Sequence, residues 1–142
     1  MLKFEFQGSC HCGAIGFRYR TDIAVANWSI RACQCRFCRA HDALSASDPS
    51  GLVEFTANDP AALNRYRFGL RTADFLLCRE CGVYIGAMIE TAKGRFGIIN
   101  THALREIPAD LAPTEPMIYD GEGVAGRVTR REDRWTPAES IL

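Results

Sequence analysis

The sequence predicts a mainly β protein that forms one domain over residues 1–142. Three observations support this prediction: strand-like segments dominate residues 1–100, turn-forming residues separate them, and seven cysteines lie in three short clusters. Short runs of aromatic and β-branched residues that partly alternate with polar ones are typical of half-buried strands. A chain of 142 residues, of which 47% are hydrophobic, can build one core of modest size.

The predicted strands follow one another closely along the chain. In order they cover residues 2–7, 15–19, 26–32, 52–56, 65–68, 75–78, 83–89 and 96–99. Glycine, proline and aspartate separate them, as at Gly8, Gly13, Gly94 and the Asp48-Pro49 pair. These residues favour turns because glycine reaches positive φ and proline ends regular hydrogen bonding.

Helical structure is predicted only in short pieces. Residues 60–63 and 36–42 can each form a helical turn, and the second would close the central cysteine cluster. After Asn100 three prolines interrupt regular structure, so this part is expected to be an irregular C-terminal arm: Pro108, Pro113 and Pro116. Residues 123–134 suit a short helix with a thin apolar face.

Charge and hydropathy exclude several classes of partner. Lysine plus arginine and aspartate plus glutamate both number 17, so no basic field for nucleic acid is visible. The basic stretch with Arg127, Arg130, Arg131 and Arg134 is interleaved with acidic residues and is predicted to be a solvated face. No run approaches a membrane span, and the N-terminus alternates like a strand and lacks a signal-peptide pattern. We therefore expect a cytoplasmic protein without a membrane partner.

The cysteine spacing points to metal binding. The clusters have the patterns C-x-C, C-x-C-x-x-C and C-x-x-C. In the cytoplasm thiols stay reduced, and a disulfide framework would leave one of seven cysteines over, so metal ligation is favoured over disulfides. Zinc takes four ligands in a tetrahedron, and catalytic zinc keeps one position open. Seven cysteine ligands divided into a set of four and a set of three would form one closed zinc site and one open zinc site.

The residues that follow each cluster suggest how the ligands divide. Gly13 follows Cys12, and Gly82 follows Cys81. Glycine permits the positive φ with which a metal knuckle turns its amide N–H groups toward the thiolates. The first and last pairs are therefore predicted to share one zinc. The alternative is that both glycines belong to ordinary turns.

The central cluster is predicted to be the open site. Its three thiolates lie within residues 33–38 and can converge on one metal from a single turn. The fourth position is left open to water, to a substrate, or to His41, Asp42 or His102. Soft thiolate ligands suit a metal that accepts another sulfur, and a bound substrate thiol would be held as the nucleophilic thiolate.

Two arginines lie within and just after this cluster. Arg36 and Arg39 are predicted to bind substrate carboxylates or to offset the negative charge of the site. The alternative is that both are ordinary solvated arginines.

The order G-S-C-H-C-G, C-x-C-x-x-C-R and C-x-x-C-G resembles the glutathione-dependent formaldehyde-activating enzyme family, which includes centromere protein V. The resemblance runs from Gly8 to about Asn100. It implies a β-tent fold of antiparallel sheets built around zinc. It implies a structural zinc on the first and last pairs, Cys10, Cys12, Cys78 and Cys81. It also implies a catalytic zinc on Cys33, Cys35 and Cys38.

The resemblance implies an activity that joins formaldehyde to glutathione, which is a carbon–sulfur lyase in the cleavage direction. We therefore predict a zinc-dependent enzyme with two zinc ions per chain that acts on a small thiol adduct. His41, Asp42 and Tyr84 are the candidates for a general acid or base. The alternative is a non-enzymatic zinc-binding module that recognises a protein or nucleic acid, although the neutral net charge argues against nucleic acid.

Overall fold

The computed structural model describes residues 1–139, and this part of the chain is mainly β, as predicted. It contains eleven strands, β1 (Phe4–Ser9), β2 (Ile15–Thr21), β3 (Ile30–Cys33), β4 (Ser45–Ala46), β5 (Leu52–Ala57), β6 (Leu63–Tyr66), β7 (Asp74–Cys78), β8 (Tyr84–Thr91), β9 (Gly94–Asn100), β10 (Thr114–Met117) and β11 (Thr136–Glu139). The α-helices are α1 (Arg36–Ala40) and α2 (Val124–Arg134). Short 3₁₀ turns cover Val25–Asn27, Pro60–Ala62 and Thr101–Ala103.

The strands form one branched sheet system. Its main path runs β1-β2-β5-β11-β9-β4-β3-β10, and β6, β7 and β8 form a branch that joins through β9. Most pairs are antiparallel, whereas β10 pairs with β3 and β11 pairs with β5 in parallel. The beginning of β11 pairs with β9 and its end pairs with β5, so this short strand joins two parts of the sheet.

The burial pattern explains why these segments form strands. In β2 the side chains of Ile15, Phe17 and Tyr19 are buried, while Arg18 and Arg20, which alternate with them, face the carboxylates of neighbouring strands. This alternation is the signature of a strand with one face in the core. Residues 84–89 of β8 are all buried, as expected for a strand covered on both faces.

A buried polar network fixes the end of the described chain. The Thr21 hydroxyl donates to the Asp48 carboxylate at 2.6 Å, and the Asp48 N–H donates to the Thr136 hydroxyl at 2.8 Å. All three residues are buried. Buried polar groups need partners, so this network holds β11 in its place between β5 and β9.

Two predicted strands lie elsewhere than expected. Residues 25–27 form a 3₁₀ turn, and the strand begins only at Ile30, because Trp28 turns into the core and donates to the Ile23 carbonyl. The strand expected at 65–68 covers Leu63–Tyr66, since the buried Leu63 directly follows the turn that begins at Pro60.

The C-terminal arm is more regular than expected. It contributes β10 and β11 to the sheet, and the short helix predicted over 123–134 is present as α2. The helical turns predicted over 36–42 and 60–63 are present as α1 and as the 3₁₀ turn Pro60–Ala62. Within residues 1–139, neither α1 nor α2 has the length and apolar composition of a membrane-spanning helix.

Candidate metal centres and adjoining cleft

The first and third cysteine pairs come together in a four-cysteine cluster. Cys10 follows β1, Cys78 ends β7, and the four sulfur atoms of Cys10, Cys12, Cys78 and Cys81 lie within 4.8 Å of one another. The Cys10 and Cys12 sulfurs are 3.7 Å apart, and those of Cys12 and Cys78 are 3.5 Å apart. Zinc–sulfur bonds of ~2.3 Å in a tetrahedron separate the sulfurs by about 3.8 Å. All seven cysteines are free thiols, so the cluster could hold a metal ion.

The backbone around this cluster has knuckle geometry on both sides. Gly13 has a φ of 84° and Gly82 a φ of 80°, as the sequence predicted for the residue after the second cysteine of each pair. The Ile15 N–H donates to the Cys10 sulfur, and the Cys81 N–H donates to the Cys78 sulfur, each at 3.4 Å. Such N–H groups stabilise negative charge on a coordinating thiolate.

The central cysteines form the second cluster at the start of α1. Cys33 ends β3, Cys35 is the N-cap of α1, and Cys38 lies one turn into the helix. Their sulfurs lie within 4.8 Å of one another, and the Cys35 sulfur accepts from the Cys38 N–H at 3.4 Å. The cap and the short helix therefore gather three thiols from a single stretch of chain.

The mutual repulsion of three thiolates in this trio favours a bound cation. Hydrogen bonds with the Cys33 and Cys38 thiols lower the pKa of Cys35, while hydrogen bonds with the Cys33 and Cys35 thiols raise the pKa of Cys38. Three adjacent thiols cannot all ionise alone, because each thiolate opposes the next. A bound dication removes this opposition, and the all-sulfur donor set fits zinc.

Within residues 1–139, no histidine, carboxylate or further cysteine joins the central trio. The His41 ring packs on the Phe37 ring with centroids 4.5 Å apart. Asp42 is exposed, and its carboxylate lies 3.9 Å from Nδ1 of His102. The structure therefore does not bring the three considered fourth ligands, His41, Asp42 and His102, to the cluster.

The central trio lines a cleft of about 90 Å³. Phe68 and Phe75 form an apolar part of its wall, and α2 with the following Trp135 forms another. One water molecule needs about 10–15 Å³ by a comparable measure. The cleft therefore has room for about six to nine non-hydrogen atoms beside the sulfurs.

Arginines form much of the remaining wall, and they differ from those expected. Arg127, Arg130 and Arg131 of α2 line the cleft together with Arg31 of β3. The solvated face predicted for the stretch around α2 is therefore wrong for these three residues. Their spacing of three and four residues could have signalled a shared helix face.

Arg36 and Arg39 lie at a different place. Both are exposed, and Arg39 donates from Nε to the Gln34 carbonyl at 3.0 Å. Neither residue lines the cleft. Contact between these arginines and a substrate stays a prediction.

Tyr84 carries a buried hydroxyl beside the central trio. The residue is 2% exposed, its ring packs against Phe37 and Phe75, and within residues 1–139 its hydroxyl has no hydrogen-bond partner. Burial raises its pKa well above the usual value, and the charges of Cys38 and Cys35 raise it further. An unpartnered buried hydroxyl is uncommon in folded proteins.

The fold and the two clusters define a class: mainly β proteins that could hold two metal ions through cysteine alone. The model of the family described as "Glutathione-dependent formaldehyde-activating enzyme" matches residues 5–121, and the chain belongs to this family. The resemblance seen in the cysteine motifs is thereby confirmed.

Comparison with solved structures gives a second likeness. The crystal structure of a Rhodobacter sphaeroides protein, a Northeast Structural Genomics target, is similar to this chain with a TM-score of 0.57 and 27% sequence identity. The likeness covers 77% of this chain and 99% of that one. Among curated proteins, none matches the chain significantly. Helix α2, with three of the cleft arginines, lies beyond the residues matched by the family model.

Proposed function

We propose that this protein is a zinc-dependent enzyme of the carbon–sulfur lyase type, acting on a small thiol adduct such as S-(hydroxymethyl)glutathione. Family membership supports a formaldehyde-activating or lyase-type role in general. The observation that carries the proposal is the central trio, whose three thiols line a cleft without a fourth protein ligand among residues 1–139. Such an open position is typical of catalytic metal sites, whereas structural zinc sites are closed.

The two clusters would have different tasks. Cys10, Cys12, Cys78 and Cys81 would hold a structural zinc, and Cys33, Cys35 and Cys38 would hold the reactive one. Zinc in the central cluster would supply a fourth coordination position that favours the thiolate form of a substrate. We also propose a cytoplasmic location, because a reducing compartment keeps the seven free thiols available as ligands.

The proposed reaction is balanced without an oxidant or reductant. In the synthetic direction the substrate sulfur attacks the carbonyl carbon of formaldehyde, one carbon–sulfur bond forms, and the carbonyl π electrons move to oxygen. The proton lost by the thiol is matched by the proton gained at that oxygen. Phe68 and Phe75 in the cleft wall would exclude water. Tyr84 does not itself line the cleft, but it packs against the Phe75 ring of the wall, and its buried hydroxyl, without a partner within residues 1–139, is the candidate proton donor.

A metal and thiol titration tests the proposal. Purified protein should contain about two zinc ions per chain, as one closed and one open site require. In cobalt-substituted protein, added glutathione should strengthen the sulfur-to-cobalt absorption band. Proton NMR should show that the protein accelerates the exchange between glutathione plus formaldehyde and their adduct above the spontaneous rate. Cys35→Ala should lose one metal ion, the spectral response and the activity together.

One result of these experiments would refute the enzyme proposal. Fully metallated protein that shows neither a cobalt response nor calorimetric heat with any thiol would refute the enzyme proposal. The chain would then fit the alternative of a zinc-binding module for a protein partner, which the sequence left open.

A further inference from the structure

We propose that the cleft selects thiols that carry an oxyanion, a carboxylate in the simplest case, and that Arg31 and Arg131 bind this group. The inference rests on the proposed function for the thiol itself and adds the residues that would bind the anionic group of the substrate. It concerns residues different from Arg36 and Arg39, which the sequence favoured and which lie outside the cleft.

Both arginines are placed close to the reactive cluster by their elements. Arg31 lies on β3, two residues before Cys33, and Arg131 lies on the last turn of α2. Both line the cleft that contains the three cysteines. A ligand in this cleft can therefore meet the sulfurs and a guanidinium group together.

The other two cleft arginines already share a carboxylate. Arg130 binds Glu122 through Nε at 2.6 Å and through Nη2 at 3.0 Å, and Arg127 reaches the same carboxylate at 3.2 Å. The ring of Tyr119 lies under the Arg130 guanidinium at 3.7 Å. The positive charges of Arg127 and Arg130 are therefore largely paired within the protein, and their contacts orient α2 against the cleft.

Arg31 and Arg131 have only neutral partners. Arg31 donates to the Ser47 hydroxyl and Arg131 to the Thr72 hydroxyl, each at 2.7 Å. Across residues 1–139, neither forms a salt bridge. Arg131 is buried and Arg31 half-buried, and the Trp135 ring, 4.8 Å from the Arg131 guanidinium, carries no charge. A cation withdrawn from water without a counterion is costly, so the missing anion is expected to be a ligand.

The evidence for binding of an anionic ligand is stronger for Arg131 than for Arg31. Its side chain is buried, with 7% of the residue exposed, and its Nε–H has no partner within the described chain. Burial lowers its pKa to about 10, with smaller effects of Arg130 and Arg127, which shows how poorly the charge is solvated. The planar guanidinium offers parallel N–H groups whose geometry matches a carboxylate.

The charge balance of the cleft agrees with an anionic substrate. The cleft wall has four guanidinium groups, and the nearby carboxylates are those of Asp120 in the wall and of Glu122 on Arg127 and Arg130, which leaves two positive charges in excess. Three thiolates on a zinc dication would carry one negative charge. One positive charge therefore remains for the substrate.

Matched thiols test this inference in the metal-loaded full chain. Mercaptoacetate and mercaptopropionate are compared with their amides, which have the same shape and no charge, by the cobalt absorption band and by calorimetry. We expect the acids to bind about 10- to 100-fold more tightly than the amides, after correction for thiol pKa. Arg131→Gln and Arg31→Gln should each reduce this preference toward unity, and Arg131→Lys should retain part of it.

Arg134→Gln is the matched control, because Arg134 is an exposed arginine on the same helix and does not line this cleft. It should leave the preference for the acids unchanged. Circular dichroism checks that each variant folds. Should Arg131→Gln fail to fold, Arg31→Gln and Arg131→Lys still measure the preference.

Two negative outcomes separate this inference from the proposed function. If acids and amides bind equally, or if the arginine variants weaken both equally, the arginines only balance the cluster charge and the inference is overturned while the proposed function stands. If no thiol binds at all, the proposed function fails, and the inference fails with it.

Discussion

At the scale of single residues, the two knuckle glycines show how backbone conformation prepares a ligand set. Gly13 and Gly82 have positive φ, and a Cβ at either position would have no heavy atom within 4 Å. Space therefore does not exclude a side chain, and only the left-handed backbone does. Each glycine lets a cysteine pair turn its N–H groups toward sulfur.

Gly82→Ala should consequently lower the free energy of unfolding by about 1–2 kcal/mol, the cost of a left-handed conformation for a residue with a Cβ. Urea denaturation of the zinc-loaded protein measures the change. Gly121→Ala is the control, because Gly121 also has open space around its Cβ position but no positive φ. Equal effects of the two substitutions would contradict the conformational explanation.

Tyr84→Phe should separate stability from catalysis. Because the hydroxyl is buried without a partner, its removal should leave the free energy of unfolding unchanged or raise it by up to about 1 kcal/mol. If the hydroxyl donates to a substrate oxygen, kcat/KM for the lyase reaction should fall by about tenfold or more.

Tyr66→Phe is the matched control, since Tyr66 stacks on Phe68 and is 46% exposed. It should leave both quantities unchanged. An unaltered kcat/KM in Tyr84→Phe would remove Tyr84 from the candidate acids and bases and leave His41 and Asp42.

The candidate metal residues could be predicted from the sequence because cysteine pairs at short spacing act through their own local turns. The cleft arginines could not be predicted in this way. Arg131 enters the cleft because α2 packs near Thr72, which is 59 residues distant in sequence. Nothing in the local charge pattern distinguishes Arg131 from Arg134, which stays exposed.

At the scale of elements, the two clusters connect the fold differently. The four-cysteine cluster joins the turn after β1 to the turn between β7 and β8, with Cys12 and Cys78 66 residues apart. The central trio joins only the end of β3 to α1. Loss of a metal from the first cluster should release two distant parts of the sheet, whereas loss from the second should be local.

Cys12→Ala and Cys81→Ala should therefore reduce folding, because structural zinc binding is coupled to folding. Cys35→Ala should leave a folded protein that lacks one zinc. Metal analysis, circular dichroism and thermal unfolding of the three variants check this difference. Equal unfolding of all three would show that the central site is structural as well.

The strands differ in how far local sequence defines them. β2 and β5 combine apolar alternation with clear turns, whereas β7 to β9 contain short continuous buried runs, and the sequence predicts all five with small shifts at their ends. β10 has the sequence Thr-Glu-Pro-Met with three exposed residues, and it is a strand only because it pairs with β3. α2 has few apolar residues and packs partly through arginine side chains, whose aliphatic parts cover apolar surface.

At the scale of the whole molecule, metal removal should proceed in two stages. A chelator of moderate strength should first take zinc from the central trio, which has one ligand fewer, and abolish thiol binding while the far-ultraviolet spectrum is retained. A stronger chelator should then remove the second zinc and unfold the sheet. A colorimetric zinc assay run alongside circular dichroism measures both stages, and added zinc should restore them in reverse order.

Simultaneous loss of both ions with a single unfolding transition would contradict two independent sites. It would indicate that the sheet connects the clusters so tightly that neither exists without the other. Coupled loss of the two ions is physically possible, because both clusters contact the same sheet system, which runs from β1 through β9 to β3.

The position of β11 has a consequence for the order in which the chain folds. β5 and β9 are joined through residues 136–139, so β5 lacks this neighbour until these residues, about 80 positions later in the sequence, have been synthesised. A nascent chain would expose that strand edge to other chains, and such edges favour aggregation. Contacts between residues so distant in sequence also slow folding, to about milliseconds to seconds for β-rich domains. Chaperone dependence during synthesis should therefore be greatest just before β11 leaves the ribosome.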